Sequence, residues 1–275
     1  MKKYNMRISV GAATLDGLLF LVLAAGPAFG AFFDGGGDGT NWSDHANWNN
    51  DLVPLTASGD TAVDIRSHQP AGSGDILIVL DGTTADTFVN GTSGNFFNTR
   101  SSTPGREMTL RLDWGSGYTN GGAWWGSQSS ETGRIEIIQT GGLLTLTSAS
   151  YFGRNSPSGQ SVMYELCGGT FLAGQPLIGA RSDARADITL RVSGGTFDNR
   201  NVGGTRRVSL GGYDGGTAIF EVAGDAVVNL YDFRMDNSGA EAAAGTGGST
   251  YFRVLGSQAT ITWGHNFFTD QDLSL

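Results

Sequence analysis

Lysine is almost missing from this sequence: the 275 residues contain only Lys2 and Lys3. Past residue 3 there is no Schiff-base lysine, no lysine for an isopeptide cross-link and no phosphate-loop lysine. Cysteine occurs once, as Cys167, so no internal disulfide can form. It ends an alternating run (Tyr164 and Leu166 against Glu165 and Cys167) with no histidine nearby in sequence, which reads as a small strand residue rather than a nucleophile. The three histidines, His45, His68 and His265, are far apart in sequence and suggest no metal site. Prolines number six and no Gly-X-Y period exists, which excludes collagen despite 44 glycines. What remains is rich in glycine and β-branched residues, a composition for many short strands joined by tight turns.

The N-terminus reads as an export signal over residues 1–30. Lys2, Lys3 and Arg7 form a basic start, residues 18–25 an apolar core too short to span a bilayer, and Ala28-Phe29-Gly30 a small-x-small cleavage site. Its removal leaves 14 arginines against 25 acidic residues, a net charge of −11. Such a surface is a poor match for nucleic acid. The mature chain is expected to be secreted or held at the cell surface, without inserting into the membrane.

From residue 133 one phrase recurs: an alternating apolar run, a glycine turn and a second short apolar run. The copies are IEIIQTGGLLTL (135–146), YELCGGTFL (164–172), LRVSGGTFD (190–198), FEVAGDAVVNL (220–230) and FRVLGSQATITW (252–263). Their turn glycines, Gly141, Gly168, Gly194, Gly224 and Gly256, lie 27, 26, 30 and 32 residues apart. That period suits one coil of a solenoid. Side chains alternate faces along a strand, so Leu190 and Val192 oppose Arg191 and Ser193, and every copy has one apolar face to bury. Stacking coils through parallel pairing buries it continuously. The expected fold is therefore all-β, a right-handed parallel β-helix. An antiparallel β-sandwich is the alternative, but it calls for hairpins every 8–12 residues rather than this longer repeat. Residues 60–132 read as earlier, less regular coils, with Gly82 and Gly115 at turn positions, and 133–275 as the regular repeats. NTRSSTPGRE (98–107) and GAEAAAGTGGST (239–250) read as excursions from single coils.

Residues 31–59 differ in character, dense in Gly, Asp and Asn, with Trp42 and Trp48. Their elements are Phe33-Asp34-Gly35-Gly36, Trp42-Ser43-Asp44, Asn47-Trp48 and Pro54. This opening, followed by glycine-turn β-repeats, resembles exported bacterial surface proteins of the PEP-CTERM and autotransporter-associated β-strand type. The resemblance covers residues 31–263 and implies a β-helical passenger displayed at or shed from the cell surface. The sequence departs from that type in lacking a C-terminal Pro-Glu-Pro motif, membrane helix and basic tail. Independently, the first coil needs a plug for its apolar end, and the two tryptophans are large enough to supply it. Sugar stacking is the other reading of the pair. Asp34, Asp38 and Asp44 offer oxygen ligands for calcium, but not at EF-hand spacing. No other cofactor is suggested.

Three groups of residues are candidates for surface function. Trp114, Tyr118, Trp124 and Trp125, interleaved with glycines, suit stacking on sugar rings; Trp124 and Trp125 are adjacent, so one of them must face the core. Asp183, Arg185 and Asp187, with Asp198, Arg206 and Asp214, are the best group of the kind that polysaccharide lyases and glycosidases use on β-helices. Glu165, Arg191, Glu221 and Arg253 stand three residues before successive turn glycines, and stacked in register they form an outward ladder of alternating sign. The functional expectation is a non-catalytic secreted or cell-surface scaffold of adhesin-like type, with glycan binding and polysaccharide cleavage as alternatives. Extracellular polysaccharide or other cell-surface components are the expected partners. The last copy is followed by GHNFFTDQDLSL, without a tryptophan plug. End-to-end self-association is therefore expected, unless further chain follows or Phe267 and Phe268 fold back as a lid.

Overall fold

The computed structural model describes residues 31–269 except 50, 52, 55–62, 67–69, 71, 73, 82–87, 91–94, 101–105, 120–121, 127–132, 155–158, 180–184, 213–214, 236–247 and 257. The signal segment, Gly82, His68, Asp183, Asp214 and most of the two excursions lie outside these residues.

The chain is a parallel β-helix, and among the described residues every strand–strand ladder is parallel. Each full coil crosses three faces. The first face stacks Ile76–Leu80, the start of Met108–Thr119, the start of Arg134–Phe152, Ser161–Leu166, Asp187–Val192, Thr217–Ala223 and Ser249–Leu255. The second stacks Phe88–Asn90, residues 116–119, 143–146 and 170–173, then Thr196–Asp198, Val227–Leu230 and Thr260–Trp263. The third runs from Ala31–Phe32 through Val63–Arg66, Asn95–Arg100 and Gly122–Trp125 to Arg207–Leu210, Asp232–Met235 and Phe267–Thr269. On the first face Ile135, Val162, Ile188, Ala218 and Thr250 stack in turn. Their steps of 27, 26, 30 and 32 residues reproduce the glycine spacing read from the sequence.

The third strand of each coil is a structural finding. In two coils it follows the second with no break, so that Arg134–Phe152 is one strand of 19 residues through two changes of face. In the next coil eight residues, 199–206, intervene before Arg207–Leu210. This variable spacing hid the third strand in the sequence.

Inward side chains from all three faces form one core. An aromatic column threads it: Trp125, Tyr164, Phe171, Phe197, Phe220 and Phe252, with successive ring centroids 5.0, 5.3, 5.7, 5.6 and 5.6 Å apart. These separations suit edge and offset packing of aromatic rings. The one hydroxyl in the column is satisfied, since Tyr164 Oη donates to Gln139 Oε1 at 2.7 Å and Gln139 Nε2 donates to the Thr170 carbonyl at 3.1 Å.

At the corners between first and second faces the left-handed residue is not always the glycine read as the turn. In the Gly-Gly corners the second glycine has positive φ: Gly142 (69°), Gly169 (73°) and Gly195 (68°). Gly168 and Gly194 serve by lacking a Cβ, which would strike the carbonyl oxygens of Thr140 and Cys167 in the coil before. Gly141 likewise has ordinary φ, and a Cβ there would crowd the Asp113 carboxylate. Gly224 and Gly256, each followed by a residue other than glycine, take positive φ themselves.

Residues 31–49 form the expected plug. Trp42 and Trp48 are fully buried, their rings 4.7 Å apart, and Trp48 also packs edge-on to Phe33 at 5.3 Å. Trp48 Nε1 donates to the Trp42 carbonyl at 2.8 Å, so the indole is buried without losing a hydrogen bond. The segment also closes strand edges. Val79 exchanges backbone bonds with Thr40 and Trp42, at 3.0 and 2.8 Å, and Asn49 bonds both main-chain groups of Phe32. Among the described residues the sole helical turn is the 3₁₀ turn His45–Asn47, and no helix is long and apolar enough to cross a membrane.

Candidate functional site

The plug contains the three aspartates proposed as calcium ligands, and their oxygens face N–H donors. Asp38 accepts from the backbone of Thr40 and Asn41, both at 2.8 Å, and from the side chains of Asn47 and Asn41. These donors, with Asn47 foremost, hold its carboxyl well below the usual aspartate range. Asp44 accepts from the Asp38 amide at 2.9 Å and from the Ala46 amide at 3.1 Å, and Asp34 accepts from Gly36 at 3.0 Å. A divalent cation would have to displace this network, so the arrangement fits a polar turn rather than calcium. Among the described residues no group of three or more His, Cys, Asp or Glu side chains is placed to hold a metal ion.

The same turn recurs in the Asn199–Arg206 loop. Asp198 accepts from the amides of Arg200 (2.7 Å) and Asn201 (3.2 Å) and from the Asn201 side chain (2.8 Å), which repeats the pattern of Asp38 with Thr40 and Asn41. Asn229 of the next coil donates to its other oxygen at 3.3 Å. Asp198 thus serves the fold. Of the remaining carboxylate–arginine group, Arg185 and Asp187 are exposed at the start of a first-face strand, whereas Asp198 closes a second-face strand. The described members are not drawn into one cluster.

The predicted aromatic surface divides. Trp125 is fully buried in the core column, so its reading as a stacking platform is corrected, while its neighbour Trp124 faces outward and is half-buried. The side chains of Trp114 and Tyr118 lie outside the described residues. Trp124 pairs in register with Tyr151 of the next coil, the rings edge to face with centroids 6.3 Å apart, and the Arg154 guanidinium covers both at 4.4 and 4.9 Å. Trp124 Nε1 and Arg154 Nε are buried and have no hydrogen-bond partner among the described residues. Tyr151 and Arg154 were missed because their proximity to Trp124 depends on third-face register.

A second stacked column stands where the second face passes to the third. Arg206, Tyr231 and His265 come from three successive coils. The guanidinium lies 3.9 Å from the tyrosine centroid, and the imidazole is parallel to the tyrosine ring at 5.0 Å. His265 Nδ1 meets Asp232 at 2.9 Å. Tyr231 was not singled out in the sequence, and His265 was read only as one of three scattered histidines, for the same reason.

The charge ladder forms in the expected register, Glu165 beside Arg191, Arg191 beside Glu221, and Glu221 beside Arg253. Arg191 Nε lies 3.6 Å from Glu165 and 3.1 Å from Glu221. The three are half-buried rather than fully exposed, whereas Arg253 is exposed and lies over its own Tyr251 ring at 4.8 Å. Ser193 Oγ donates to Glu165 at 2.7 Å. Beside it, burial above all, and then the Glu165 charge, push the Cys167 thiol up from its ordinary value. That shift disfavours the thiolate which a nucleophile needs.

By its fold the chain is a parallel β-helical solenoid, and its described outward groups largely serve contacts between coils. Comparison with known proteins finds no matching family model, no matching curated protein and no matching solved structure.

Proposed function

We propose that this chain is a non-catalytic β-helical scaffold, exported and carried at or released from the cell surface. The observation that carries the reading is where its carboxylates point. Asp38, Asp44, Asp198, Glu165 and Glu221 all engage N–H groups, a serine hydroxyl or arginine inside the fold. A glycosidase or lyase needs carboxylates facing substrate across an open cleft. The signal-like N-terminus and the resemblance of residues 31–54 to exported surface proteins support the location. The test incubates the purified protein with neutral and acidic polysaccharides and assays reducing ends and unsaturated uronates. No release is expected; release above a heat-denatured control would overturn the scaffold reading. Cell fractionation checks the location, and retention of the full-length chain in the cytoplasm would refute export.

Trp124, Tyr151 and Arg154 favour a second reading, in which the scaffold also holds an acidic glycan. Arg154 supplies a cation beside the Trp124 and Tyr151 rings, a pairing that suits a carboxylated sugar. On a glycan array, Arg154→Ala should lose whatever acidic-glycan signal the parent gives. A parent without signal removes this reading and leaves the scaffold intact.

A further inference from the structure

Charge is spread unevenly over the three faces. On the first face acids and arginines balance, with Arg134 beside Glu136 and Arg191 between Glu165 and Glu221. On the second face Asp198 is the only charged residue within the described strands. The third-face strands carry Arg66, Arg100, Arg207 and Arg234 against Asp64 and Asp232, and Arg154 and Arg206 lie within two residues of them. Arg66, Arg207 and Arg234 alternate with the buried Ile65, Val208 and Phe233, so all three point outward. Both aspartates are engaged within the fold, Asp64 by Arg66 at 2.6 Å and Asp232 by His265 at 2.9 Å. The whole sequence has a net charge of −9, so this face runs against the charge of its own chain.

The same face and its approach set arginine against aromatic rings at three described places. Arg66 lies over Phe32 at 5.0 Å, Arg154 over Trp124 and Tyr151 at 4.4 and 4.9 Å, and Arg206 over Tyr231 at 3.9 Å. Asp64, Asn98, Trp124 and Tyr151 stand in one column, which puts Arg66 and Arg154 three rungs apart, about 14 Å along the axis. Leu177 and Ser209 continue that column, so Arg206 and Arg207 come two rungs after Arg154, about 10 Å further on. Arg234 follows on the next rung, in register with Ser209. Each of these coils is laddered to a neighbour on both sides at this face.

We propose that the third face is a binding track for a long acidic polysaccharide lying along the solenoid axis. The proposal rests on the acidic-glycan reading of Trp124, Tyr151 and Arg154 and extends it from one contact to a series. Guanidinium groups pair with carboxylate or sulfate in a planar fork, and the rings beside them offer apolar faces to sugar carbons. Contacts spaced along one ligand act together, because once the first engages the rest bind at a high effective concentration. A fragment that reaches a single arginine lacks this advantage. Duplex nucleic acid is a worse match, since its dense phosphates would also meet the acidic remainder of the chain.

Calorimetric titration of the purified chain with polygalacturonate and with dextran sulfate, each as long polymer and as short fragments, tests this. At least one long polymer should bind about tenfold more tightly per sugar than its fragments, and which one binds identifies the acidic group. Arg154→Gln and Arg206→Gln should each weaken polymer binding about tenfold, the scale of one charge-assisted hydrogen bond. Arg134→Gln removes the same charge from the first face and should leave binding unchanged. Should Arg206→Gln misfold by circular dichroism, Arg234→Gln on the next coil takes its place with the same expectation. A loss confined to Arg154→Gln, or equal affinity for polymer and fragments, overturns the track while the single-contact reading stands. A parent that binds neither polymer nor fragment removes both. Equal losses from Arg134→Gln and Arg206→Gln would reduce the effect to net charge and overturn the proposal, as would tighter binding of duplex DNA than of either polysaccharide.

Discussion

The first and last described coils of this solenoid differ in how far they are closed. At the N-terminal end three large rings, Phe33, Trp42 and Trp48, fill the mouth of the core, and Asn47, fully buried, ties the surrounding loop through Gly37, Gly39, Asp38 and Asn41. In the last described coil the inward positions Phe252, Val254 and Ile261 are partly or largely open to solvent. Strand pairing alone makes a rung; it does not close one. Closure takes side-chain volume together with polar groups that absorb the edge N–H and C=O bonds.

The sharpest test of this contrast is a pair of truncations. Trp48→Ala removes a fully buried indole and should cost about 3–5 kcal/mol, whereas Val254→Ala, at a half-open position, should stay within about 0.5 kcal/mol. Denaturant unfolding followed by circular dichroism reads both, and equal costs would show that the N-terminal rings are not a structural plug. Acid supplies a second, smaller test. Asp38 has a folded-state pKa depressed by its N–H donors, so its contribution is fully present above the ordinary aspartate value of 3.8 and is lost as pH falls below it toward the depressed value. The melting midpoint should therefore drop as pH is lowered from 4, and Asp38→Ala should flatten that drop while lowering the midpoint at neutral pH. An unchanged slope in the variant would show that Asp38 does not hold the plug. The smallest effect is expected midway along the stack. Arg191→Glu puts three acids in one column and should lower the melting midpoint more than Arg191→Ala, the ladder as a whole contributing at most about 1 kcal/mol per contact. Equal midpoints for the two variants would mean that the ladder charges do not interact.

The first two faces were legible because each inward residue recurs at a fixed distance from a glycine corner. Ile137, Tyr164, Leu190, Phe220 and Phe252 occupy one stacked row. The alternation of Glu165, Arg191, Glu221 and Arg253 was legible for the same reason. Within a Gly-Gly corner the sequence is silent on which glycine turns left-handed, since either is sterically free to do so. The third face was not legible. Its strands, such as Arg207–Leu210 and Asp232–Met235, begin at variable distances from the corner, and no periodic argument reaches across the 199–206 insertion. Both aromatic–arginine groups depend on that face or its approach, which is why Tyr151, Arg154 and Tyr231 escaped notice and His265 was read only as an isolated histidine.

The direction of the ladder bonds has a mechanical consequence. In a sheet these bonds run from strand to strand, so in a stack of coils they lie broadly along the long axis. Tension along that axis is carried in series from coil to coil, and the least reinforced junction yields first. Third-face pairing is short at more than one junction: Trp124 and Trp125 pair with Tyr151 and Phe152, and Leu177 and Ile178 with Ser209 and Leu210. Under drag the rod would part at such a short-paired seam into blocks that are still internally laddered.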